Sequence, residues 1–140
     1  MKIIVLKRPK EHGKTETLQL LHSLLIDKEA EDIIDPQNCV LHEKDKEYFV
    51  TLNGIKIAIV TLGDYPDELI WHIGYYDALG ADILILPERP GVKAIEDKAK
   101  NHCYDVSLID SKLSLDALKY EEENRRDCEE IIKIILGADE

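Results

Sequence analysis

Residues 3–15 read IIVLKRPKEHGKT, and this stretch decides the fold that we predict for the chain. The run Ile3-Ile4-Val5-Leu6 is apolar without alternation, which is typical of a strand buried on both faces, such as a central strand of a parallel sheet. From Gly13 to Ile26 the leucines recur at helical spacing. The chain is therefore expected to open with a strand (residues 2–6), a loop and a helix (residues 13–26).

The turn between this strand and this helix carries residues suited to binding phosphate. Gly13-Lys14-Thr15 would open the helix, where backbone N–H groups and the helix dipole favour an anion. A lysine at that point reaches terminal phosphates, and a hydroxyl joins the shell of a Mg²⁺ ion. An ordinary turn, in which Gly13 relieves backbone strain and Lys14 is solvated, is the alternative interpretation. Four cations cluster here, at positions Lys7, Arg8, Lys10 and Lys14.

Composition limits the classes of function. A chain of 140 residues has the length of a single domain, residues 1–140, with a sizeable core. Its formal charge of −11 indicates a soluble protein without a nucleic-acid or membrane partner. Three scattered cysteines without a C-x-x-C pair, and no signal peptide, favour a cytoplasmic location. The five histidines are equally dispersed, so we expect no histidine metal site.

The rest of the chain alternates between strand and helix patterns. Asn53-Gly54 between two β-prone runs predicts a type I′ hairpin. The polar stretch 27–46 predicts a long connection with a short extended piece at 39–41. The other predicted elements are hairpin strands at 48–52 and 55–60, a helix from Pro66 to about Gly80, a strand at 82–86, a helix at 92–102, a strand at 104–109, and a helix at 121–136 stopped by Gly137.

This order predicts an α/β fold, a three-layer sandwich with a mostly parallel sheet of about five strands and one antiparallel hairpin edge. In such sheets ligands gather at the carboxyl ends of the strands. Asp64 follows the second hairpin strand and is the expected Mg²⁺ carboxylate if that strand neighbours the first, although it is equally suited to capping the next helix. Arg89, in the stiff loop 87–91, is the candidate for stabilising phosphate charge; a surface pair between Glu88 and Arg89 is the alternative.

Residues 3–15, with the hairpin and the turn 61–64, resemble the core of the P-loop NTPase superfamily with a degenerate Walker A motif, since Arg8 stands where the first glycine is expected. The resemblance implies that Lys14 contacts the β- and γ-phosphates of ATP or GTP, that Thr15 ligates Mg²⁺, and that Asp64 is the Walker B carboxylate. It assigns cofactor binding to Arg8, Pro9, Lys10, Glu11, His12, Gly13, Lys14 and Thr15, metal binding to Thr15 and Asp64, and catalysis to Lys14, Asp64 and Arg89. The implied reaction, if the nucleotide is turned over, is hydrolysis or a small kinase-like phosphoryl transfer.

Two other interpretations stay open at this point. A catalytically inactive P-loop relative would act by binding a protein or a second copy of itself, through an exposed hairpin edge at 48–52. The replacement of the first glycine by Arg8 and the lack of an obvious catalytic acid favour it. A flavodoxin-like or receiver-like domain is the third interpretation, and the basic loop would then bind a flavin phosphate.

Overall fold

The fold is a six-stranded sheet between two layers of helices, seen in a computed structural model that describes residues 1–7, 14–34, 47–61, 66–89, 91–102, 104–110 and 120–137. The elements in chain order are β1 (Lys2–Lys7), α1 (Lys14–Asp27), β2 (Glu31–Ile34), β3 (Glu47–Leu52), β4 (Ile55–Val60), α2 (Pro66–Ala78), β5 (Ile83–Glu88), α3 (Ala94–Asn101), β6 (Asp105–Asp110) and α4 (Tyr120–Gly137).

The strands lie in the order β2-β3-β4-β5-β1-β6. β4, β5, β1 and β6 run parallel, whereas β3 is antiparallel to both β2 and β4. The predicted α/β class and mostly parallel sheet are confirmed. The strand count was low by one, because β2 has only four residues, two of them acidic, and its strand conformation depends on pairing with β3.

Side chains of β1 alternate between two separate clusters of buried residues, one on each face of the sheet. Ile4 and Leu6 face a layer made by α1 and α4, and we call this the first face of the sheet. Ile3 and Val5 face a layer made by α2 and α3, on the second face. A strand covered on both sides has no polar face, which is why this segment reads as a continuous apolar run.

The predicted hairpin is confirmed at the level of backbone geometry. Asn53 and Gly54 have φ angles of 53° and 82°, the left-handed values that both central residues of a type I′ turn require. Its first strand, β3, is paired on both sides, with β4 and with β2. The expectation that residues 48–52 form an exposed edge was therefore wrong, because β2 occupies that edge.

Strand β5 runs two residues further than predicted and ends at Glu88. Pro87 is tolerated there because the pairing between β4 and β5 stops at Ile85, so that Pro87 pairs only with β1. The extended piece predicted at 39–41 lies outside the described residues. In the part of the chain that the structure describes, no helix is long and apolar enough to cross a membrane.

Candidate functional site

The connections of the sheet diverge between β1 and β5, and the candidate site lies at the carboxyl ends of these two strands. The chain leaves β1 toward α1 on the first face and leaves β5 toward α3 on the second face. β4 leads to the second face as β5 does, and β6 leads to the first face as β1 does. Neighbouring strands whose connections go to opposite faces leave a crevice in which α/β proteins bind ligands.

The last residues of the two strands, Lys7 and Glu88, form a buried ion pair at the base of this crevice. They are register partners, and both side chains point to the second face. The Lys7 ammonium also donates to the carbonyl oxygen of Val92 and lies 3.1 Å from a carboxylate oxygen of Glu96. All of its donors are therefore directed at protein oxygens, and its charge is shared between two carboxylates.

Glu88 also fixes the start of α3. Its second oxygen accepts a hydrogen bond from the backbone N–H of Ile95 at 3.2 Å, which satisfies one of the free donors at the start of that helix. Lys93, the N-cap residue, makes no capping hydrogen bond with its side chain. The strand thus supplies the cap that the helix lacks.

Burial raises the pKa of the Glu88 carboxyl, and the nearby carboxylate of Glu96 raises it further. The Lys7 ammonium and the Ile95 N–H oppose this rise without cancelling it. With Glu88 at 0% exposure, its ionised form has lost its hydration entirely and relies on these two partners.

On the other side of the crevice, α4 holds the first turn of α1. The hydroxyl of Thr17 donates to the side-chain carbonyl of Asn124 at 2.9 Å, and the thiol of Cys128 donates to the backbone carbonyl of Thr17 at 3.1 Å. Thr17 and Cys128 are fully buried. These two hydrogen bonds therefore hold the first turn of α1 against α4.

Lys14 and Thr15, the last two of the residues predicted to bind phosphate, are the first two residues of α1. The helix begins at Lys14, one residue after the predicted start, and directly follows Gly13 in the chain. The side chains of Lys14 and Thr15, and all of residues 8–13, lie outside what the structure describes. Arg89 is half-buried and follows Glu88 at the carboxyl end of β5, so it borders the crevice.

Asp64 also lies outside the described residues, but the strand that precedes it is placed. β4 pairs with β3 and β5, and β5 separates it from β1. Asp64 was expected to bind the metal if its strand lay next to β1, and β4 does not lie next to β1. The carboxylate on the neighbouring strand belongs to Glu88.

Two interpretations of charged residues made from the sequence were wrong. Lys7 was counted among the four clustered cations near the phosphate turn, yet it is buried and neutralised by Glu88 and Glu96. The alternative for Glu88, a surface pair with Arg89, fails because Glu88 is fully buried and its carboxylate contacts Lys7. The sequence did contain a signal for the burial of Lys7 and Glu88. Each of them comes at the end of an apolar strand run, and such runs are typical of strands covered on both faces of the sheet.

A second buried polar cluster lies further along the same edge of the sheet, beneath α2. Glu47, the first residue of β3, is paired with Val60 at the carboxyl end of β4. Its carboxylate accepts from the hydroxyl of Tyr76 at 3.1 Å and lies 2.8 Å from the imidazole of His72. These contacts join α2 to the antiparallel part of the sheet. They were missed because residues 47, 72 and 76 show no spacing that links them in the sequence.

No protein-family model, curated protein or solved structure matches this chain. Among the described residues, no group of three or more His, Cys, Asp or Glu side chains is arranged to hold a metal ion. The functional argument therefore depends on the chain's own residues and on the topology that brings them together.

Proposed function

We propose that this chain binds a nucleoside triphosphate, ATP or GTP with Mg²⁺, at the carboxyl ends of β1 and β5. The observation that supports the proposal most is the position of helix α1, which begins at Lys14 next to the point where the connections of the sheet diverge. A helix that begins there directs its free N–H groups into the crevice and favours a polyanion.

In this proposal the amides of residues 9–13 surround the phosphates and the Lys14 ammonium approaches the terminal ones. The hydroxyl of Thr15 is the proposed magnesium ligand. Asp64, which follows a strand separated from β1 by β5, is the proposed carboxylate and would hold the metal through a water molecule. The residues that the structure describes offer no carboxylate free for that role at β5, since both oxygens of Glu88 are engaged by Lys7 and Ile95. The metal would thus depend on Thr15, on Asp64 and on the nucleotide's own oxygens.

Lys7 has a structural role in this proposal. It is held by Glu88, Glu96 and the Val92 carbonyl, and so cannot also pair with a phosphate in this conformation. The positive charge for a triphosphate would come from Arg8, Lys10 and Lys14. Arg89, at the end of the strand next to β1, is the proposed group for stabilising charge during turnover.

A thermal shift experiment tests nucleotide binding. The chain is melted alone, with ATP or GTP in the presence and absence of Mg²⁺, and with FMN as the flavin alternative. A nucleotide at 100 times its dissociation constant stabilises the folded state by about 2.7 kcal/mol. Lys14→Ala should abolish the shift and leave the melting temperature of the free protein almost unchanged.

Lys93→Ala is the matched control, because Lys93 is an exposed lysine next to the start of a different helix, α3. A shift that survives in Lys14→Ala, or that is lost equally in Lys93→Ala, would refute the assigned site. Phosphate release is then measured with the wild type, Asp64→Asn and Arg89→Ala. Binding without release would favour the second candidate, a catalytically inactive relative that acts through a protein partner.

A further inference from the structure

Helix α2 and the residue directly after it carry a row of exposed apolar side chains that are not part of the core. Trp71, Tyr75 and Leu79 follow one another at intervals of four residues and are 60%, 39% and 40% exposed. The rings of Trp71 and Tyr75 are stacked, with centroids 4.9 Å apart and planes inclined by 12°. We call these three residues the α2 stripe.

The stripe is separate from the face by which α2 packs on the sheet. That face consists of His72, Ile73 and Tyr76, each at most 3% exposed. Ile73 and Tyr76 belong to the core on the second face of the sheet, and the stripe residues do not. Exposed apolar residues aligned on one side of a helix, with a large aromatic pair among them, are typical of a surface that binds another protein.

The charges of this segment indicate the kind of partner. Residues 66–82 contain four acidic residues and neither lysine nor arginine. Among the residues that the structure describes, Lys56 of β4 places its ammonium group near Gly80, at the end of this segment. The faces of the stacked rings are themselves negative because of the aromatic quadrupole, and they attract guanidinium and ammonium groups. Two of the acidic residues have partners within the chain: Asp77 accepts from the Tyr104 hydroxyl at 2.6 Å, and Asp82 accepts from the backbone N–H of Lys56 at 2.9 Å. The other two, Asp67 and Glu68, come four and three positions before Trp71 in α2.

The size of the stripe argues against a second copy of the chain as its occupant. The exposed parts of its three side chains cover on the order of 300 Å², whereas a stable dimer needs about 800 Å² from each partner. Two copies would also bring together two acidic helices in chains that each carry a formal charge of −11. A single helical segment with anchors at positions i, i+4 and i+7 fits both the area and the spacing.

We propose that the α2 stripe binds a basic amphipathic helix of a partner protein. Its apolar residues cover Tyr75 and Leu79, its arginine or lysine side chains stack on Trp71, and the acidic charge of this segment and of the whole chain attracts them. This proposal does not rest on the proposed nucleotide binding, because no residue of the stripe belongs to the proposed phosphate or metal site.

Trp71 is the only tryptophan of the chain, so its fluorescence reports on the stripe directly. The probe is a helical peptide of about 18 residues with leucines on one face and arginines and lysines on the other. A second peptide has the same apolar face and glutamates in place of the cations. The basic peptide should bind, shift the Trp71 emission to shorter wavelength and lose affinity as salt is added. The acidic peptide should leave the emission unchanged.

The fluorescence anisotropy of a labelled peptide measures binding without relying on Trp71, so it can also be used with variants that lack this residue. Trp71→Ala and Tyr75→Ala should each weaken binding of the basic peptide at least about tenfold. Leu136→Ala is the matched control, since Leu136 is 42% exposed but lies on α4. Circular dichroism establishes that all three variants are folded.

Three outcomes would overturn the proposal. The first is that the two peptides bind equally well or that neither binds. The second is that Trp71→Ala binds the basic peptide with unchanged affinity. The third is self-association of the free protein in sedimentation that disappears in Trp71→Ala, because the occupant would then be a second copy of this chain.

Discussion

The ammonium group of Lys7 lies against the carboxylate of Glu88, 81 positions away in the chain, at the ends of two neighbouring parallel strands. Glu88 in turn accepts from the Ile95 N–H at the start of α3, and Lys7 reaches Glu96 in the first turn of that helix. One ion pair thus joins β1, β5 and α3 at the edge of the sheet where we propose that a nucleotide binds.

Lys7→Met should destabilise the protein strongly. The substitution leaves a fully buried carboxylate without its cation, a change that costs about 3–5 kcal/mol in other buried pairs. The double variant Lys7→Met/Glu88→Gln removes the charge and keeps an acceptor for the Ile95 N–H. Urea unfolding should show that the double variant is more stable than Lys7→Met, although it carries one more substitution.

Lys2→Met is the control for this comparison. Lys2 pairs with the exposed Asp105 at 3.5 Å, and such surface pairs contribute less than about 1 kcal/mol. If the costs of Lys7→Met and Glu88→Gln simply add in the double variant, the two side chains are not coupled and the ion pair has no energetic role.

The contribution of Glu88 to the free energy of unfolding should fall as pH rises above the ordinary pKa of a glutamate, about 4.3. Its pKa is raised in the folded state by burial, so between the unfolded and folded pKa values the folded chain binds more protons than the unfolded one. Glu88→Gln removes this contribution. The free energy of unfolding of the wild type, minus that of Glu88→Gln, should therefore decrease with rising pH and level off above the folded pKa.

Asp105→Asn provides the comparison for the pH series, since the Asp105 side chain is 74% exposed. Asp105→Asn removes one acidic group from an exposed position and so controls for the loss of a single negative charge from the chain. A constant difference between wild type and Glu88→Gln would show that the carboxyl keeps its ordinary pKa on folding.

Two glycine substitutions should have opposite effects. Gly54 has a φ of 82° and nothing within 4 Å of an added Cβ, so Gly54→Ala brings conformational strain alone, about 1–2 kcal/mol. Gly74 lies in helix α2, also with open space around it, and Gly74→Ala should stabilise by up to about 1 kcal/mol. Thermal unfolding of the two variants measures the difference, and equal effects would contradict the turn geometry.

Thr17→Val should cost about 0.5–1.5 kcal/mol, because it removes the hydroxyl that donates to the half-buried side-chain carbonyl of Asn124. Thr51→Val makes the same chemical change at a partly exposed position of β3 and should shift the unfolding free energy by less than about 0.5 kcal/mol. Equal costs in denaturant unfolding would mean that the contact between α1 and α4 contributes no stability.

The elements that the sequence predicted correctly are those specified by local patterns. The apolar run of β1, the leucine spacing of α1 and the Asn-Gly turn are confirmed. The last helix is also confirmed, and its apolar residues at helical spacing, Cys128, Ile131, Ile132 and Ile135, are all buried. Each follows from side-chain period or backbone preference, which act within a few residues.

The candidate site was predicted less well, because its parts meet only through strand order. Asp64 was chosen on the assumption that its strand neighbours β1, and that place belongs to β5. Glu88 and Lys7 are 81 positions apart and become neighbours only when β5 pairs with β1. Nothing in either local sequence states that pairing.

Local sequence was enough to specify the alternation of strands and helices, the two-sided burial of β1 and the Asn53-Gly54 turn, since local sterics and hydrophobic period set these. Only the assembled fold establishes which strands are neighbours, that β2 covers the hairpin, and that buried Lys7 and Glu88 neutralise each other. The reason is that strand order depends on the free energy of packing all the layers together, which cannot be inferred from any single segment of the sequence.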